Sequence, residues 1–126
     1  MASPFTCGLD AVLSVMGGKW KPLILYHLMR GTLRYGELRR AVGKVSDKVL
    51  IQQLKELQAD GIVHRRDHGE IPPKVEYSLT DFGRSLARAL VQLCQWGEQH
   101  SDDLAAIAAR RTPAEEPEPS ATARAR

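Results

Sequence analysis

The sequence lacks the features of several classes of protein. It has only two cysteines, Cys7 and Cys94, which is too few for a disulfide framework and fits a reducing compartment. Its longest nearly uncharged apolar run, residues 22–29, is far shorter than the ~20 residues that span a bilayer. The first residues lack the basic start and apolar core of a signal peptide. These absences predict a cytoplasmic protein without a membrane partner.

The sequence also lacks the motifs of a metal site or an active site. Its histidines are scattered, no Cys-x-x-Cys pair is present, and a predicted strand and its loop separate His64 from His68. Gly17-Gly18 lacks the spacing and the strand–loop–helix context of a phosphate-binding loop. No nucleophile is paired with an identifiable general base. We therefore expect no metal, no cofactor and no enzymatic activity.

Acidic residues are slightly outnumbered, and the imbalance lies in the middle of the chain. Residues 30–79 contain ten lysines and arginines against seven acids, a difference of three that equals the whole net charge of +3. A modest basic bias of this kind favours a polyanionic partner, although only weakly. Many soluble proteins carry a bias of this size by chance, so the placement of the charges matters more than their sum.

The chain is organised around residues 46–60, which predict a helix with one apolar stripe. Its leucines recur at i, i+4 and i+7, the spacing of one helical face: Leu50, Leu54 and Leu57. Ser46 occupies a capping position before the stripe, and Gly61 follows it where helices commonly end. The opposite face has no acid and presents Lys48, Ile51, Gln52 and Lys55. Such a face fits DNA, although an ordinary amphipathic helix with a solvated face has the same pattern.

Three shorter helices are predicted before this one. The first covers residues 6–16, and the second begins near Lys19 with Pro22 in its first turn. The buried stripe of the second helix is predicted to be Trp20, Leu23, Ile24 and Leu28. The third helix covers residues 35–42, and its inward side chains are predicted to be Leu38, Ala41 and Val42. Two helices joined by a tight turn that contains glycine, here Gly43, indicate a helix-turn-helix.

After Gly61 the hydrophobic period changes from about 3.6 residues to 2, which predicts a β-hairpin. Residues 62–67 and 74–79 form its strands, and residues 32–34 form a further, very short strand. The loop between the hairpin strands contains Pro72-Pro73 and is stiff, because proline has no backbone donor. The order helix, turn, helix and hairpin predicts a winged helix-turn-helix, mainly α with a small β-hairpin.

The C-terminal part predicts a long helix, capped by Thr80, that runs to about residue 100, with a further helix at 102–111. The long helix has one apolar face, formed by Phe82, Leu86, Leu90, Leu93 and either Trp96 or Gly97. A compact three-helix core leaves little for these helices to cover, so a second copy of the chain is the economical partner. Residues 112–126 have no apolar period and predict a disordered tail after a single domain at 1–111.

Several motifs occur in order and with close spacing between residues 7 and 100. They include Cys7-Gly-Leu-Asp, Gly17-Gly-Lys-Trp-Lys-Pro, Arg34-Tyr-Gly-Glu-Leu-Arg-Arg, Leu54-Lys-Glu-Leu, Pro72-Pro-Lys-Val-Glu-Tyr-Ser-Leu-Thr and Trp96-Gly. Together they resemble the HxlR family of bacterial winged-helix regulators, a relative of the MarR group. The resemblance implies a homodimer, joined through its first and C-terminal helices, that binds a palindromic operator in double-stranded DNA. It implies that the fourth helix is the recognition helix and the hairpin is the wing, and it identifies no small-molecule effector.

The predicted base contacts lie on the fourth helix. Lys48 and Lys55 are separated by about 10 Å along the helix axis, which fits a major groove about 12 Å wide. Gln52 lies between them and can pair bidentately with adenine. Ile51 stands where many relatives have Thr or Ser and offers only apolar contact, so the operator of a relative should not be assumed. Ser46 can donate to a phosphate at the start of the helix.

Further phosphate contacts are predicted on either side of the fourth helix. Arg39 and Arg40 project outward from the third helix, where they either contact phosphate or remain surface charges. In the hairpin, Arg65 and Arg66 point to opposite faces of a strand, so only one of them is expected to meet DNA. Further along the wing, Lys74 is a candidate contact beside the Pro-Pro loop. His68 at the tip is a possible contact, although a lone exposed histidine is usually solvated.

Cys7 is the one candidate for chemistry. It precedes the first helix, where the helix dipole favours the thiolate. In some relatives the matching cysteine is a sensor of oxidants or electrophiles, and the alternative is a small buried residue at a dimer interface. Cys94 is expected to be a packing residue, and a Cys7–Cys94 bridge between subunits stays open. Three hypotheses follow: a dimeric DNA-binding regulator, a thiol-based redox switch, and a winged helix that binds proteins instead of DNA.

Overall fold

The computed structural model of the chain describes residues 3–111. The elements in these residues are α1 (Gly8–Met16), α2 (Trp20–Leu28), β1 (Leu33–Arg34), α3 (Tyr35–Val42), α4 (Asp47–Ala59), β2 (Val63–Asp67), β3 (Val75–Leu79), α5 (Asp81–Gln99) and α6 (Ser101–Arg110). Their order confirms the predicted winged helix-turn-helix, mainly α with a small sheet. Contacts divide the chain within α5, after Arg88, into two compact units. The predicted tail at 112–126 lies outside the described residues, and the predicted domain limits stay a prediction.

The first unit is built on the apolar stripe of α4. Leu50, Leu54 and Leu57 are fully buried, as their spacing predicts. They belong to one core that also contains side chains of α2, α3 and the segment that leads into β2, chiefly Ile24, Leu25, Leu38 and Ile62. Because three buried leucines fix the rotation of α4 about its axis, the opposite face of this helix must point outward.

The three strands form one antiparallel sheet in the order β1-β3-β2. In β2 and β3 the register pairs Val63 with Leu79 and Asp67 with Val75, so the predicted hairpin is confirmed with slightly shorter strands. A backbone hydrogen bond from His68 to Lys74 continues the pairing toward the loop. The short strand β1 pairs with β3 and attaches the hairpin to the start of α3.

The predicted inward faces of α2 and α3 are partly wrong. In α2 the buried set is Lys21, Ile24, Leu25 and Leu28, whereas Trp20 and Leu23 are only half-buried. The reason is that α2 contacts α3, α4 and β3, so more than one stripe of this helix is covered. In α3, Ala41 is exposed, and the inward residues are Leu38 and Val42.

Capping side chains and a glycine define where α4 begins and ends and where α5 begins. Ser46 Oγ accepts a hydrogen bond from the backbone N–H of Val49 at 3.1 Å, which confirms the predicted cap. Gly61 ends the helix with φ +75°, a conformation that glycine adopts without steric cost. Thr80 Oγ1 accepts from the N–H of Gly83 at 2.9 Å and donates to the carbonyl of Gly61 at 2.7 Å. The turn after α4 is therefore tied to the start of α5.

The second unit contains the rest of α5 and the whole of α6. Within it the rings of Trp96 and His100 stack with their centroids 4.4 Å apart, at the junction of the two helices. Leu93 and Trp96, from the predicted apolar face of α5, are both more than half exposed. Among the helices of residues 3–111, none has the length and the apolar character that crossing a membrane requires.

Substitution of Gly83 tests the contact between α5 and the segment that leads into β2. A Cβ at this position would lie 2.1 Å from the backbone carbonyl oxygen of Ile62, so the Gly83→Ala variant must move backbone. We expect it to lower the free energy of unfolding by about 2 kcal/mol, as overpacking does. A Cβ at Gly97 in the same helix meets no atom within 4 Å, so Gly97→Ala should stabilise by roughly 0.5 kcal/mol through helix propensity. Urea denaturation measures both changes in the free energy of unfolding. An equal effect of the two substitutions would contradict the close contact between Gly83 and the backbone of Ile62.

Candidate nucleic-acid interface

The outward face of α4 presents the predicted base-contacting side chains together. Lys48, Ile51, Gln52 and Lys55 are all exposed, on the side opposite the buried leucines. Ile51 is 40% exposed, which leaves its side chain open to contact. Ser46 is exposed at the start of the helix, but its Oγ already accepts from Val49, so only its hydroxyl hydrogen is left for a phosphate.

A depression of about 490 Å³ lies between α4 and the sheet. Its lining comes from α3, α4 and the two hairpin strands: Tyr35, Ile51, Lys55, Gln58, Arg65, Val75 and Tyr77. The structure thus brings Lys55 of the helix and Arg65 of the wing to one groove. Arg65 is paired with the buried Tyr77 in the sheet register, whereas Arg66 is paired with Glu76 on the other face. Of the two neighbouring arginines, Arg65 is the one that lies beside the candidate helix.

The start of α4 carries an acid that the sequence analysis did not include. Asp47 Oδ1 accepts a hydrogen bond from the hydroxyl of Tyr35 at 2.5 Å and lies 2.8 Å from Nε of Arg39. Burial, and then the hydrogen bond to Asp47, raise the pKa of Tyr35, so its hydroxyl stays protonated. Arg39 is therefore engaged within the protein, while Arg40 is exposed and has no acidic partner among residues 3–111. Arg40 is the better placed of the two for a phosphate.

The edge of the outward face of α4 also carries an acid, so the prediction of a face without acids needs correction. The amide Nε2 of Gln52 donates to Glu56 Oε2 at 3.0 Å. The other carboxylate oxygen of Glu56, Oε1, lies 2.6 Å from Nζ of the buried Lys21. The hydrogen bond from Gln52 and the ammonium of Lys21 hold the pKa of Glu56 below its usual value. Glu56 is thus ionised at neutral pH and balances the charge of Lys21.

The wing is stabilised by a pair that the sequence analysis treated as solvated. His68 Nε2 lies 2.6 Å from Glu76 Oε1, and His68 is half-buried instead of free at the tip. The hydrogen bond from His68 lowers the pKa of Glu76. Lys74 is half-buried beside this pair, which leaves it less open than a wing-tip contact would be. The most exposed apolar side chain of the wing loop is Ile71, at 98%.

Cys7 is exposed and occupies the N-cap position of α1, where its side chain makes no capping hydrogen bond. The backbone N–H of Asp10, followed by that of Leu9, lowers the pKa of its thiol, in the direction that the sequence predicts. Exposure in a single chain fits a sensor thiol and also fits the alternative, a residue that a second subunit covers. Cys94 is half-buried and lies 3.8 Å from Glu98 Oε2 in the second unit. Residues 3–111 contain no cluster of three or more His, Cys, Asp or Glu side chains that would suit a metal ion.

Several residues of this region were missed from the sequence for identifiable reasons. Glu56 was detectable, because it lies four residues after Gln52, the spacing at which helical side chains meet. Tyr35 and Lys21 reach α4 only through the packing of α3 and α2, which no local spacing reveals. Asp47 was visible as a first-turn acid, but its partners on α3 were not.

The chain is similar to known helix-turn-helix regulators in both sequence and structure. The model of the HxlR-like helix-turn-helix family matches residues 15–105. The chain is 48% identical over 98 residues, 78% of its length and 83% of the relative's, to YkvN of Bacillus subtilis (strain 168), an uncharacterized HTH-type transcriptional regulator. The structure resembles the redox regulator HypR. The oxidized form has a TM-score of 0.70 at 47% identity over 74% of this chain and 96% of that one. The reduced form has a TM-score of 0.74 at 45% identity, over 79% of this chain and 99% of that one.

The His68–Glu76 pair predicts how the stability of the wing depends on pH. Because the pKa of Glu76 is lowered in the folded chain, its carboxylate stabilises the fold above the ordinary value of 4.5, and this contribution is lost as the pH falls through the lowered value. We expect Glu76→Gln to be less stable than the parent chain at pH 7 and equally stable at strongly acidic pH. Urea midpoints across this range measure the difference. Glu70→Gln, in the same wing loop, is the control, and a loss of stability at pH 7 as large as that of Glu76→Gln would contradict the role of the His68 contact.

Proposed function

The chain belongs to the HxlR-like helix-turn-helix family, and its relative YkvN is named a transcriptional regulator. On this premise we propose that it binds double-stranded DNA as a homodimer. The operator is palindromic, and the fourth helix of each subunit enters the major groove of one half-site. The protein has no catalytic role in this proposal, and it acts as a repressor or an activator.

One observation carries this proposal, namely the composition of the outward face of α4. Two lysines, an exposed isoleucine and a glutamine share that face, where they combine attraction to phosphate with groups able to contact base edges. The groove beside the helix adds Arg65 of the wing to the same surface. Phosphate contacts by Lys48, Lys55 and Arg65 would hold the helix in register while Gln52 and Ile51 contact the bases.

Exposed apolar side chains support the homodimer. In α1, Leu9 and Leu13 are 67% and 54% exposed, and in the second unit Leu93 is 66% exposed. Groups of large apolar side chains left in water commonly mark surfaces that a partner covers. In a twofold dimer each subunit contributes the same side chains to the interface, so an exposed apolar side chain of one copy can be covered by those of the other. The two half-site centres should lie about 34 Å apart, or a multiple of that distance.

A protein-binding winged helix is the rival that does not involve DNA. The exposed Ile51 and Ile71 suit a protein partner as well as a thymine methyl group. The two lysines and Arg65 favour a polyanion instead, because an interface core between proteins is usually depleted of lysine. Binding to duplex DNA therefore separates the two hypotheses.

A second candidate function is thiol sensing by Cys7. The specific observation is an exposed thiol with a lowered pKa at the start of α1, next to the side chains proposed for the dimer interface. The thiolate is the reactive form of cysteine toward oxidants and electrophiles. Modification of Cys7 at this position would change how two α1 helices meet, and in that way the spacing of the two α4 helices. The similar protein HypR is itself named a redox regulator.

Salt dependence and three substitutions test the DNA-binding proposal. Affinity for a duplex selected from a random-sequence library should fall steeply with salt, and Lys48→Ala and Lys55→Ala should each reduce the slope by about 1 because each removes a phosphate contact. Gln52→Ala should leave the slope unchanged and reduce the preference for the selected duplex over random DNA about tenfold. Arg110→Ala, in the second unit, removes a charge elsewhere and serves as the control. Unchanged selectivity in all three α4 variants would exclude α4 as the recognition helix.

Cys7 is tested by its reactivity and by its effect on DNA binding. In a Cys94→Ser background, alkylation of Cys7 by iodoacetamide should reach half of its maximal rate at a pH below 9.0, because the thiol pKa is lowered. Treatment with diamide or hydrogen peroxide should reduce binding to the selected duplex for the parent chain and leave Cys7→Ser unchanged. If both proteins lose binding equally, or neither does, Cys7 is not the sensor.

A further inference from the structure

Lys21 is the one charged residue in the core of residues 3–111, and it is placed to act on α4. It lies in the first turn of α2, and its side chain is 11% exposed. A buried ammonium is strongly unfavourable unless it is paired, and its partner here is Glu56 Oε1 on α4, at 2.6 Å. The buried charge therefore determines where the carboxylate of Glu56 must lie.

The position of Glu56 in turn determines the orientation of the Gln52 amide. With Oε1 held by Lys21, the free oxygen Oε2 faces one turn back along α4 and accepts from Gln52 Nε2 at 3.0 Å. An ionised carboxylate only accepts hydrogen bonds. The amide must consequently turn its nitrogen toward Glu56 and its oxygen Oε1 away from it. A glutamine without such a neighbour would exchange the two ends freely in water.

We propose that Lys21 and Glu56 are positioning residues that set the base preference of Gln52. This inference rests on the proposed function of α4. With Oε1 as the group directed away from Glu56, Gln52 contacts a base that offers a hydrogen-bond donor in the major groove. The donors available there are N6 of adenine and N4 of cytosine. At the same place guanine offers O6 in place of adenine N6, and thymine offers O4 in place of cytosine N4, and both are acceptors.

A purely structural role for the three residues predicts something different. A Gln–Glu pair one turn apart supports a helix, and a Lys–Glu pair ties two helices together, whichever way the amide is turned. In that case a change that keeps every hydrogen bond but reverses the amide would leave the base preference unchanged. The two roles are thus distinguished by base preference and not by stability.

Glu56→Gln is the substitution that reverses the amide. Lys21 can only donate, so the new side chain must direct its oxygen to the ammonium and its Nε2 toward Gln52. Gln52 then turns its oxygen inward to accept and its nitrogen outward to donate. We expect the preferred base at one position of each half-site to change from adenine to guanine, or from cytosine to thymine, with a reversal of about tenfold in relative affinity.

The measurement is selection from a random-sequence duplex library, followed by competition between selected duplexes that differ at single bases. Glu70→Gln removes the same charge from the wing loop and should leave the preference at that position unchanged. The double variant Lys21→Met/Glu56→Met removes the pair together, since apolar replacement of both partners is commonly tolerated. It should bind both bases about equally at that position and keep the preferences at all others, so it also decides the question if Glu56→Gln does not fold.

The outcomes separate this proposal from the function on which it rests. If Gln52→Ala removes the preference at one position while Glu56→Gln and the double variant keep it, α4 recognises DNA and the positioning role is overturned. If Gln52→Ala changes no preference, both the role of Gln52 and the positioning role fail. If Glu70→Gln produces the same exchange of bases, charge and not amide orientation is responsible, and the positioning role is again overturned.

Discussion

The burial of Leu50, Leu54 and Leu57 is the constraint on which the rest of the structure depends. Three leucines on one stripe of a thirteen-residue helix fix its rotation, because turning any of them out of the core would cost a few kcal/mol. The same constraint leaves Lys48, Ile51, Gln52 and Lys55 in solvent as a set. The composition of the outward face can vary without loss of the fold, which is what a regulator needs if its operator is to differ from those of its relatives.

The polar groups around α4 are less independent than the face itself suggests. Asp47 at the first turn engages Tyr35 and Arg39, and Glu56 near the last turn engages Gln52 and Lys21. Acids thus flank the lysines of α4 at both ends, and each acid connects the helix to a neighbouring one. These acids lower the positive charge that the surface presents to a polyanion.

Local patterns predicted most of the fold, and contacts distant in sequence account for the errors. The leucine stripe, the Ser46 cap and the change of period after Gly61 each depend on neighbouring residues, and each prediction was confirmed. The predicted stripe of α2 did not include the buried Leu25 and Lys21, because α2 is covered on several sides and a single-stripe criterion fails for such a helix. The outward position of Lys48, Ile51, Gln52 and Lys55 was predictable, although Glu56 at the edge of that face was omitted. The contacts of Tyr35 and Lys21 with acids of α4 were not predictable, since nothing in the local sequence shows which helix these side chains reach.

Lys21 illustrates why stability and selectivity are coupled in this fold. A methionine of similar size at this position would cover the core without a desolvation penalty, so packing alone does not require an ammonium. Its presence requires an acid on the side of α4 that faces α2, and that side lies one helical turn from the outward glutamine. The acid that satisfies the core is thus also the acid that orients Gln52. A substitution of Glu56 alone therefore affects both the pairing of the buried Lys21 ammonium and the orientation of the Gln52 amide, because both depend on the same carboxylate.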